Sequence, residues 1–408
     1  MSSPKLPTRR VGLIVLLGSM AALGAVAGDI YLPSMPDIAA GLDTSRAWVQ
    51  STVTATLIGG ALGQLVIGPL SDRYGRRGPV LVGIGLHIVA SIGIVFTPSI
   101  GVLIGLRVIQ GIGNASAQVV SMAMVRDLYS GYRAAKLLSQ LVLVIGLAPL
   151  LAPTLGGFLA ELGSWRYTFV FLAAFGVALG LFVYWRVPDT RPDTIKQNPA
   201  GLGQAFQAYW VLLHDYRFMG YAVIPGLAMS TMMAWVISSP FIVQVHYGQP
   251  SRVFGLIFAF CGLFMVAGAQ VNAAVVHRFA PKRLLTVVLP IELGFALAGL
   301  AAALANWGSL WTLVPGVAVL VFANGFVPAN ASALALTRHG EAAGAAAAMI
   351  SCVQSICAAS VTGLLSTIGD TPRDMTAVQS GALAIALLIV VCGWLLGRRS
   401  QAAGRPSA

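Results

Sequence analysis

Apolar runs of about twenty residues, parted by short polar breaks, recur from one end of this 408-residue chain to the other. A helix of that length crosses the ~30 Å hydrocarbon core of a bilayer and satisfies its own backbone there. The runs predict twelve spans, at 11–32, 48–70, 78–97, 100–124, 134–159, 167–187, 217–244, 252–276, 283–304, 309–333, 342–367 and 375–397. The expected fold class is all-α, a polytopic membrane protein with 12 transmembrane helices. The first run has no small-residue cleavage site before Asp29 and is followed by further spans, so it reads as a span and not as a removable signal. The longest polar break, Arg186 to Arg217, divides the spans six and six. It opens with Val187-Pro188-Asp189-Thr190-Arg191-Pro192-Asp193, a stiff, charged linker. Leu202, Phe206, Trp210 and Leu213 then recur at helical spacing and predict a short amphipathic helix on the membrane surface. The expected organisation is a six-helix bundle over 1–187, a linker with an amphipathic helix over 188–216, and a second six-helix bundle over 217–408.

Composition agrees with a membrane protein. The chain is 57% hydrophobic and 9% charged, against roughly 25% charged in soluble domains. Of the 25 Lys and Arg residues, 20 fall on the side of the two termini, Arg46, Arg166, Arg252 and Arg373 fall opposite, and Arg107 lies inside a span. The positive-inside rule then places both termini in the cytoplasm. The same bias accounts for most of the net charge of +12 without invoking nucleic acid. Cys261, Cys352, Cys357 and Cys392 lie in apolar runs without C-x-x-C spacing and are expected to be reduced packing residues.

The candidate chemistry begins at Asp29, the first acid in the chain, in Gly28-Asp29-Ile30-Tyr31-Leu32-Pro33-Ser34-Met35-Pro36. A carboxylate in hydrocarbon must face a bundle interior or a wet cavity, or carry a proton. Alternatively the helix stops at Ala27 and Asp29 is a boundary residue. Along span 4, Asn114, Gln118 and Ser121 fall within about 40° of Arg107, a polar stripe that suits a water-filled path. Asp29 lies ~27 Å of helix from the start of span 1 and Arg107 ~10 Å from the start of span 4, so both fall in the outer half. Span 1 is expected to continue past Pro33 toward Ala40. The halves repeat weakly: Asp72-Arg73 and His277-Arg278 are separated by 205 positions, as are His87 and Glu292. Parallel repeats of this kind place a substrate site between the halves. Met229, Met232, Met233, Trp235 and Phe258 would suit adaptable contacts with a substrate or serve as ordinary packing.

Gly68-Pro69-Leu70-Ser71-Asp72-Arg73-Tyr74-Gly75-Arg76-Arg77 joins two spans by a tight turn. Gly75 permits a positive φ there, and Asp72 can pair with Arg76 or cap a helix. The stretch resembles the hallmark loop of the major facilitator superfamily, G-x-x-x-D-R-x-G-R-R. Arg107-Val108-Ile109-Gln110-Gly111-Ile112-Gly113-Asn114-Ala115 resembles the R-x-x-Q-G-x-G-x-A motif of that superfamily's drug:proton antiporters, in which the arginine is linked to proton coupling. Gly146 to Gly157, with Pro149, Pro153, Gly156 and Gly157, is similar to the exporters' antiporter motif, with Ala152 replacing the usual glycine. Asp29-Ile30-Tyr31-Leu32-Pro33, Arg126-Asp127-Leu128-Tyr129 and Trp165-Arg166-Tyr167 resemble the Bcr/CflA subfamily, exporters of bicyclomycin, phenicols and related drugs. The C-terminal half matches more loosely, at Pro328-Ala329-Asn330-Ala331 and Arg338-His339-Gly340-Glu341-Ala342-Ala343-Gly344.

The resemblance implies two six-helix pseudo-repeats in a bacterial cytoplasmic membrane. It implies proton-coupled export of a small amphipathic drug by a monomer working by alternating access. Asp29 and Arg107 would couple proton and substrate, with Arg107 stabilising the deprotonated carboxylate. Tyr31, Asn114, Gln118, Met232 and Trp235 would line the cavity. Gly68, Asp72, Arg73, Gly75, Arg76 and Arg77 would gate, with Asp127 as a partner. Glu292, on a peripheral span, is expected to be locally hydrogen-bonded or protonated. An exporter of an endogenous metabolite or sugar with the same fold is the alternative. No cofactor, metal or catalytic residue is expected. There is no G-x-x-x-x-G-K-[ST], H-E-x-x-H or G-x-S-x-G, and no ring of charges that would suggest a pore.

Overall fold

The computed structural model describes residues 10–129, 131–187, 189–191, 202–307, 309–337, 343–369 and 371–403. The Arg338–Ala342 match, Pro188 and most of the linker from Pro192 onward lie outside them. The described residues are helical and contain no strand. The first half comprises α1 (Arg10–Asp29), α2 (Met35–Gly41), α3 (Arg46–Tyr74), α4 (Arg77–Val95), α5 (Ile100–Leu128), α6 (Gly131–Ala160) and α7 (Arg166–Arg186). The connecting helix is α8 (Leu202–His214). The second half comprises α9 (Tyr216–Pro240), α10 (Ser251–Val275), α11 (Pro281–Leu304), α12 (Leu310–Ala323), α13 (Val327–Leu336), α14 (Ala343–Ile368) and α15 (Pro372–Ala403). Among the described residues, eleven helical stretches are long and apolar enough to cross a membrane. Val144–Ala160, the apolar part of α6, takes the place of the twelfth.

Three spans are not plain helices. The first runs Ile14–Gly41 as α1, a 3₁₀ turn at Leu32–Ser34 and α2. Pro33 and Pro36 lack the N–H groups that a continuous helix would need there. The seventh ends in a π-helical turn, Phe241–His246, directly after Pro240. The tenth breaks at Asn324–Phe326 between α12 and α13, next to Pro328. These are the spans for which the apolar pattern predicts single uninterrupted helices.

α5 packs closely on both α3 and α4 because its glycines admit backbone. A Cβ on Gly111 would sit 2.2 Å from the Thr56 carbonyl, and one on Gly113 would sit 2.4 Å from the Gly83 carbonyl. Contact of this kind replaces the hydrophobic drive that lipid does not supply between helices.

Odd- and even-numbered spans run in opposite senses, so the loop at Gly75 and the start of α1 share one face, here called the basic face. The largest apolar cluster joins the two halves near the opposite face, with Ile30, Tyr31, Met35, Trp165 and Phe169 against Trp235, Phe241, Phe254 and Leu365. Toward the basic face two clusters each belong to one half, while Leu65 of α3 packs on a third around Tyr209 and Met349. One, with Leu17, Val80, Met124 and Val183, belongs to the first half. Another, with Ile224, Leu289, Leu320 and Leu383, belongs to the second. The α8 helix packs Tyr209 and Leu212 against Phe218, Ala222 and Met349, leaving Trp210 and Leu213 exposed. It therefore carries apolar residues on two faces, and of the residues in the predicted spacing Trp210 and Leu213 lie on the outer one.

Candidate functional site

Asp29 is the last residue of α1, at the break in the first span. It is half-buried, and its carboxylate has neither an ion pair nor a hydrogen bond among the described residues. Arg107, fully buried on α5, reaches the same layer. One guanidinium nitrogen, Nη1, donates to the Ala27 carbonyl at 3.1 Å and to Gln110 Oε1 at 2.6 Å. Ala27 is in the last turn of α1, whose carbonyls lack helical donors, so Arg107 acts as a cap at the break. The guanidinium also lies 4.1 Å over the Tyr31 ring, and Nε and Nη2 have no partner.

Arg107 of α5 thus contacts the chain on either side of Asp29, at Ala27 and Tyr31, but forms no ion pair with it, whereas the sequence reading expected it to stabilise the carboxylate. The arginine holds the backbone two residues before the acid and clamps Tyr31. That ring is closed in, with its hydroxyl 3.1 Å from Thr52 Oγ1 and Phe169 alongside.

The residues expected to line a cavity divide into two groups. Gln118 and Met232 are half-exposed. Tyr31 is 0% and Trp235 1% exposed, both in the sealed seam between the halves. Trp235 stacks on Phe258, and its Nε1 has no partner. Asn114 and Ser121 are also buried, so the stripe on α5 faces neighbouring helices more than open space. Glu292 is fully buried, and neither oxygen has a hydrogen-bond partner among the described residues, where local hydrogen bonding was one of its expected alternatives.

The seam is built on backbone contacts. A Cβ on Gly156 of α6 would meet the Ile30 carbonyl, freed by the break after α1, at 1.8 Å. Next to it, a Cβ on Gly157 would lie 3.0 Å from the Ser251 carbonyl of α10 in the other half. Pro153 and Thr154 abut Gly255. Gly156 and Gly157 therefore touch the broken span and the other half at once. The side chain of Pro149 lies outside the described set. Gln50 Nε2 donates to the Ile237 carbonyl at 3.4 Å and Gln244 Nε2 to the Pro33 carbonyl at 3.1 Å, closing the seam nearer the opposite face.

At the basic face, Gly75 has φ +102°, a conformation that disfavours side chains. Arg76 bonds Asp127 through Nε (2.8 Å) and Nη2 (3.2 Å), and pairs with Asp72 and Ser71 through Nη1. Burial alone would lower the Arg76 pKa, but Asp127 and Asp72 outweigh it and hold it above its usual value. Arg77 donates to the Tyr184 carbonyl at 2.6 Å, and Arg73 lies over the Tyr74 ring. Gly68 has open space around its Cβ position, and its carbonyl accepts from Ser71.

The sequence reading did not place Asp189, Thr190 and Arg191 here. Arg191 Nη1 caps the end of α3 through the carbonyls of Asp72 (3.0 Å) and Arg73 (2.8 Å). Thr190 bonds Asp127 at 3.1 Å, and Asp189 accepts from the Arg76 N–H at 3.3 Å. Partial burial would raise the Asp189 pKa, but bonds from Arg191 and the Arg76 N–H hold it below its usual value. Proline-flanked charges directly after a span were the available signal.

Residues 15–362 match the family profile described as Major Facilitator Superfamily. The chain belongs to the major facilitator superfamily. It is a multi-span membrane transporter and not an enzyme. The chain is 32% identical over 400 residues to an uncharacterized MFS-type transporter, YdgK, of Bacillus subtilis strain 168, covering 98% of each chain. It is 29% identical over 378 residues to a bicyclomycin resistance protein homolog of Haemophilus influenzae, covering 92% of this chain and 94% of that one. In fold it is similar to the xylose transporter XylE from E. coli, solved in a partially occluded inward open conformation, with TM-score 0.71 and 15% identity. That likeness covers 93% of this chain and 96% of the other. Drug-resistance relatives place this superfamily member among drug-efflux-type transporters at the level of the family.

Proposed function

We propose that this transporter is a proton-coupled antiporter that exports small amphipathic drugs, of the phenicol or bicyclomycin kind, from the bacterial cytoplasm. It works as a monomer with both termini inside, by alternating access between its two halves. The observation that carries the reading is the Asp29 carboxylate, half-buried and unpaired at a break in a membrane span. Such a group is costly in a membrane span and is suited to binding a proton or a ligand in turn. Substrate and proton compete for it, so each releases the other.

Arg107 contributes by fixing the backbone around the acid and by supplying positive charge in the same layer. One acid and one arginine make a near-neutral site, which favours neutral or zwitterionic substrates. The seam at Gly156 and Gly157 is the contact that must open when the site turns to the opposite face. The Arg76 cluster and its Asp189–Arg191 strap are the contacts that hold the basic-face loop during that movement. At ~150 mV one entering charge supplies roughly 3–4 kcal/mol, enough for a gradient of a few hundred-fold.

The test is uptake of labelled chloramphenicol into inverted vesicles with an imposed pH gradient. Wild type should concentrate the drug and collapse the gradient as it does so. A protein that moves a labelled sugar and not the drug belongs to the metabolite-exporter reading. One that concentrates drug without moving protons is not an antiporter of this kind.

A further inference from the structure

His87 is an imidazole sealed inside the first half, on α4. Its Nδ1 lies 2.8 Å from Asn114 Oδ1 on α5, and its Nε2 lies 3.2 Å from the Leu172 carbonyl on α7. The ring fits because glycines leave room: a Cβ on Gly176 would lie 2.8 Å from its Cδ2. A second route leaves the same turn. The His87 carbonyl accepts from Ser91 Oγ at 2.7 Å, and that hydroxyl accepts from Gln110 Nε2 at 2.8 Å. Gln110 Oε1 in turn accepts from Arg107. One turn of α4 therefore connects to two members of the polar stripe on α5, Asn114 through the imidazole and Arg107 through Ser91 and Gln110.

Counting donors decides what the imidazole does. The Leu172 carbonyl only accepts, so Nε2 carries a hydrogen in either protonation state. In the neutral ring Nδ1 has a lone pair and must face the Asn114 amide nitrogen, leaving the amide oxygen over. In the doubly protonated ring Nδ1 donates, the amide oxygen faces it, and the nitrogen is left over. In the structure Asn114 Oδ1 faces Nδ1, and Nδ2 has no partner among the described residues. A half-turn of the amide exchanges its oxygen and nitrogen without moving either backbone. Asn114 packs beside Gly24 of α1, where an added Cβ would lie 3.5 Å from its own, five residues before Asp29. Among the described residues, the charged group acting on the imidazole is Arg107 from α5; α7 presents the Leu172 carbonyl and Gly176, and no carboxylate pairs with the ring.

We infer that His87 is a positioning residue whose protonation state selects whether Asn114 offers a donor or an acceptor toward α1 and a substrate bound beside it. This rests on the antiporter reading only in counting Asn114 as part of the substrate wall. The first measurement needs no transport. In ¹⁵N-histidine-labelled protein in detergent, the resonances lost in His87→Gln belong to His87. They should show an Nε2–H tautomer that titrates, with a midpoint displaced in Asn114→Ala.

The second measurement is chloramphenicol binding in the Asp29→Asn background, where that carboxylate no longer titrates. A residual pH step in affinity of about fivefold, the worth of one hydrogen bond, is expected. It should vanish in His87→Gln and in Asn114→Ala, with no further change in the double variant. An imidazole that does not titrate, or a titration indifferent to Asn114→Ala, overturns the inference even if the Gln variant fails to fold. Absence of chloramphenicol binding in wild type counts against the drug-antiporter reading and leaves the NMR result to decide this one.

Discussion

His87 and Glu292 occupy corresponding places, 205 residues apart, in the third span of each half, and both are fully buried. Their surroundings differ. His87 has an oxygen at each ring nitrogen and lies in a chain of polar side chains reaching Arg107. Glu292 sits among residues such as Leu289 and Ala296, with no partner on either oxygen. The position matching Asn114 in the second half is Val319. An imidazole sealed from water has a polar partner here at each ring nitrogen. A carboxyl group with none is tolerated in an apolar wall only as the acid, since an unpaired buried charge is too costly. The second half spends its polar side chains elsewhere: Asn324 and Gln379 on Thr231, and Asn330 on Asn272. Within one pseudo-repeat pattern, the buried polar network around Arg107 gathers in the first half, and the corresponding place in the second half is apolar.

The largest expected effect of breaking that contrast is at Asp29. Asp29→Asn keeps the shape and removes the titration, so the gradient of up to a few hundred-fold should fall to none. It should also remove the larger part of the pH dependence of binding, while downhill exchange persists. Uphill accumulation equal to wild type in inverted vesicles would make Asp29 a mere boundary residue.

Next comes the loop at the basic face. Gly75→Val forces a side chain into a positive-φ position at a cost of about 1–3 kcal/mol. Its Cβ would also press on the Asp189 and Arg191 side chains, 3.2 and 3.3 Å away. Turnover should slow by about tenfold or more while chloramphenicol affinity stays near normal. Equal turnover in wild type and variant proteoliposomes would remove the loop from the moving parts.

A smaller change is expected in the second half. Glu292→Gln should keep transport within about twofold of wild type, because either side chain is a neutral polar group in the same apolar pocket. Complete loss of transport in a well-expressed variant would show that both halves carry coupling chemistry and would undo the contrast.

The smallest effect concerns the strap. The Asp189 carboxylate is held below its usual pKa, so its stabilisation is present above about pH 4, the unfolded value, and is lost as pH falls through the lower folded value. Thermal unfolding between about pH 5 and 3 should therefore fall more steeply for wild type than for Asp189→Asn, by a degree or two. Parallel curves would mean that the strap does not stabilise the basic-face loop.

The span pattern, the basic asymmetry and the motifs at Gly68–Arg77 and Arg107–Ala115 are properties of the sequence alone. The reason is that lipid demands long apolar helices and the loop demands a glycine at one turn, and both demands are local. The breaks after Asp29 and around Asn324–Phe326 were half-legible, since Pro33 and Pro328 mark strain but do not say whether a span ends or bends. What only the tertiary structure decided is who meets whom. Arg107 holds the Ala27 carbonyl and the Tyr31 ring instead of pairing with Asp29. Gly156 receives the Ile30 carbonyl, Arg191 caps α3 from more than a hundred residues away, and Glu292 has no hydrogen-bond partner among the described residues. Hydrogen bonds of this kind depend on distances of a few tenths of an ångström between helices far apart in the chain, and no periodicity along a single helix encodes them.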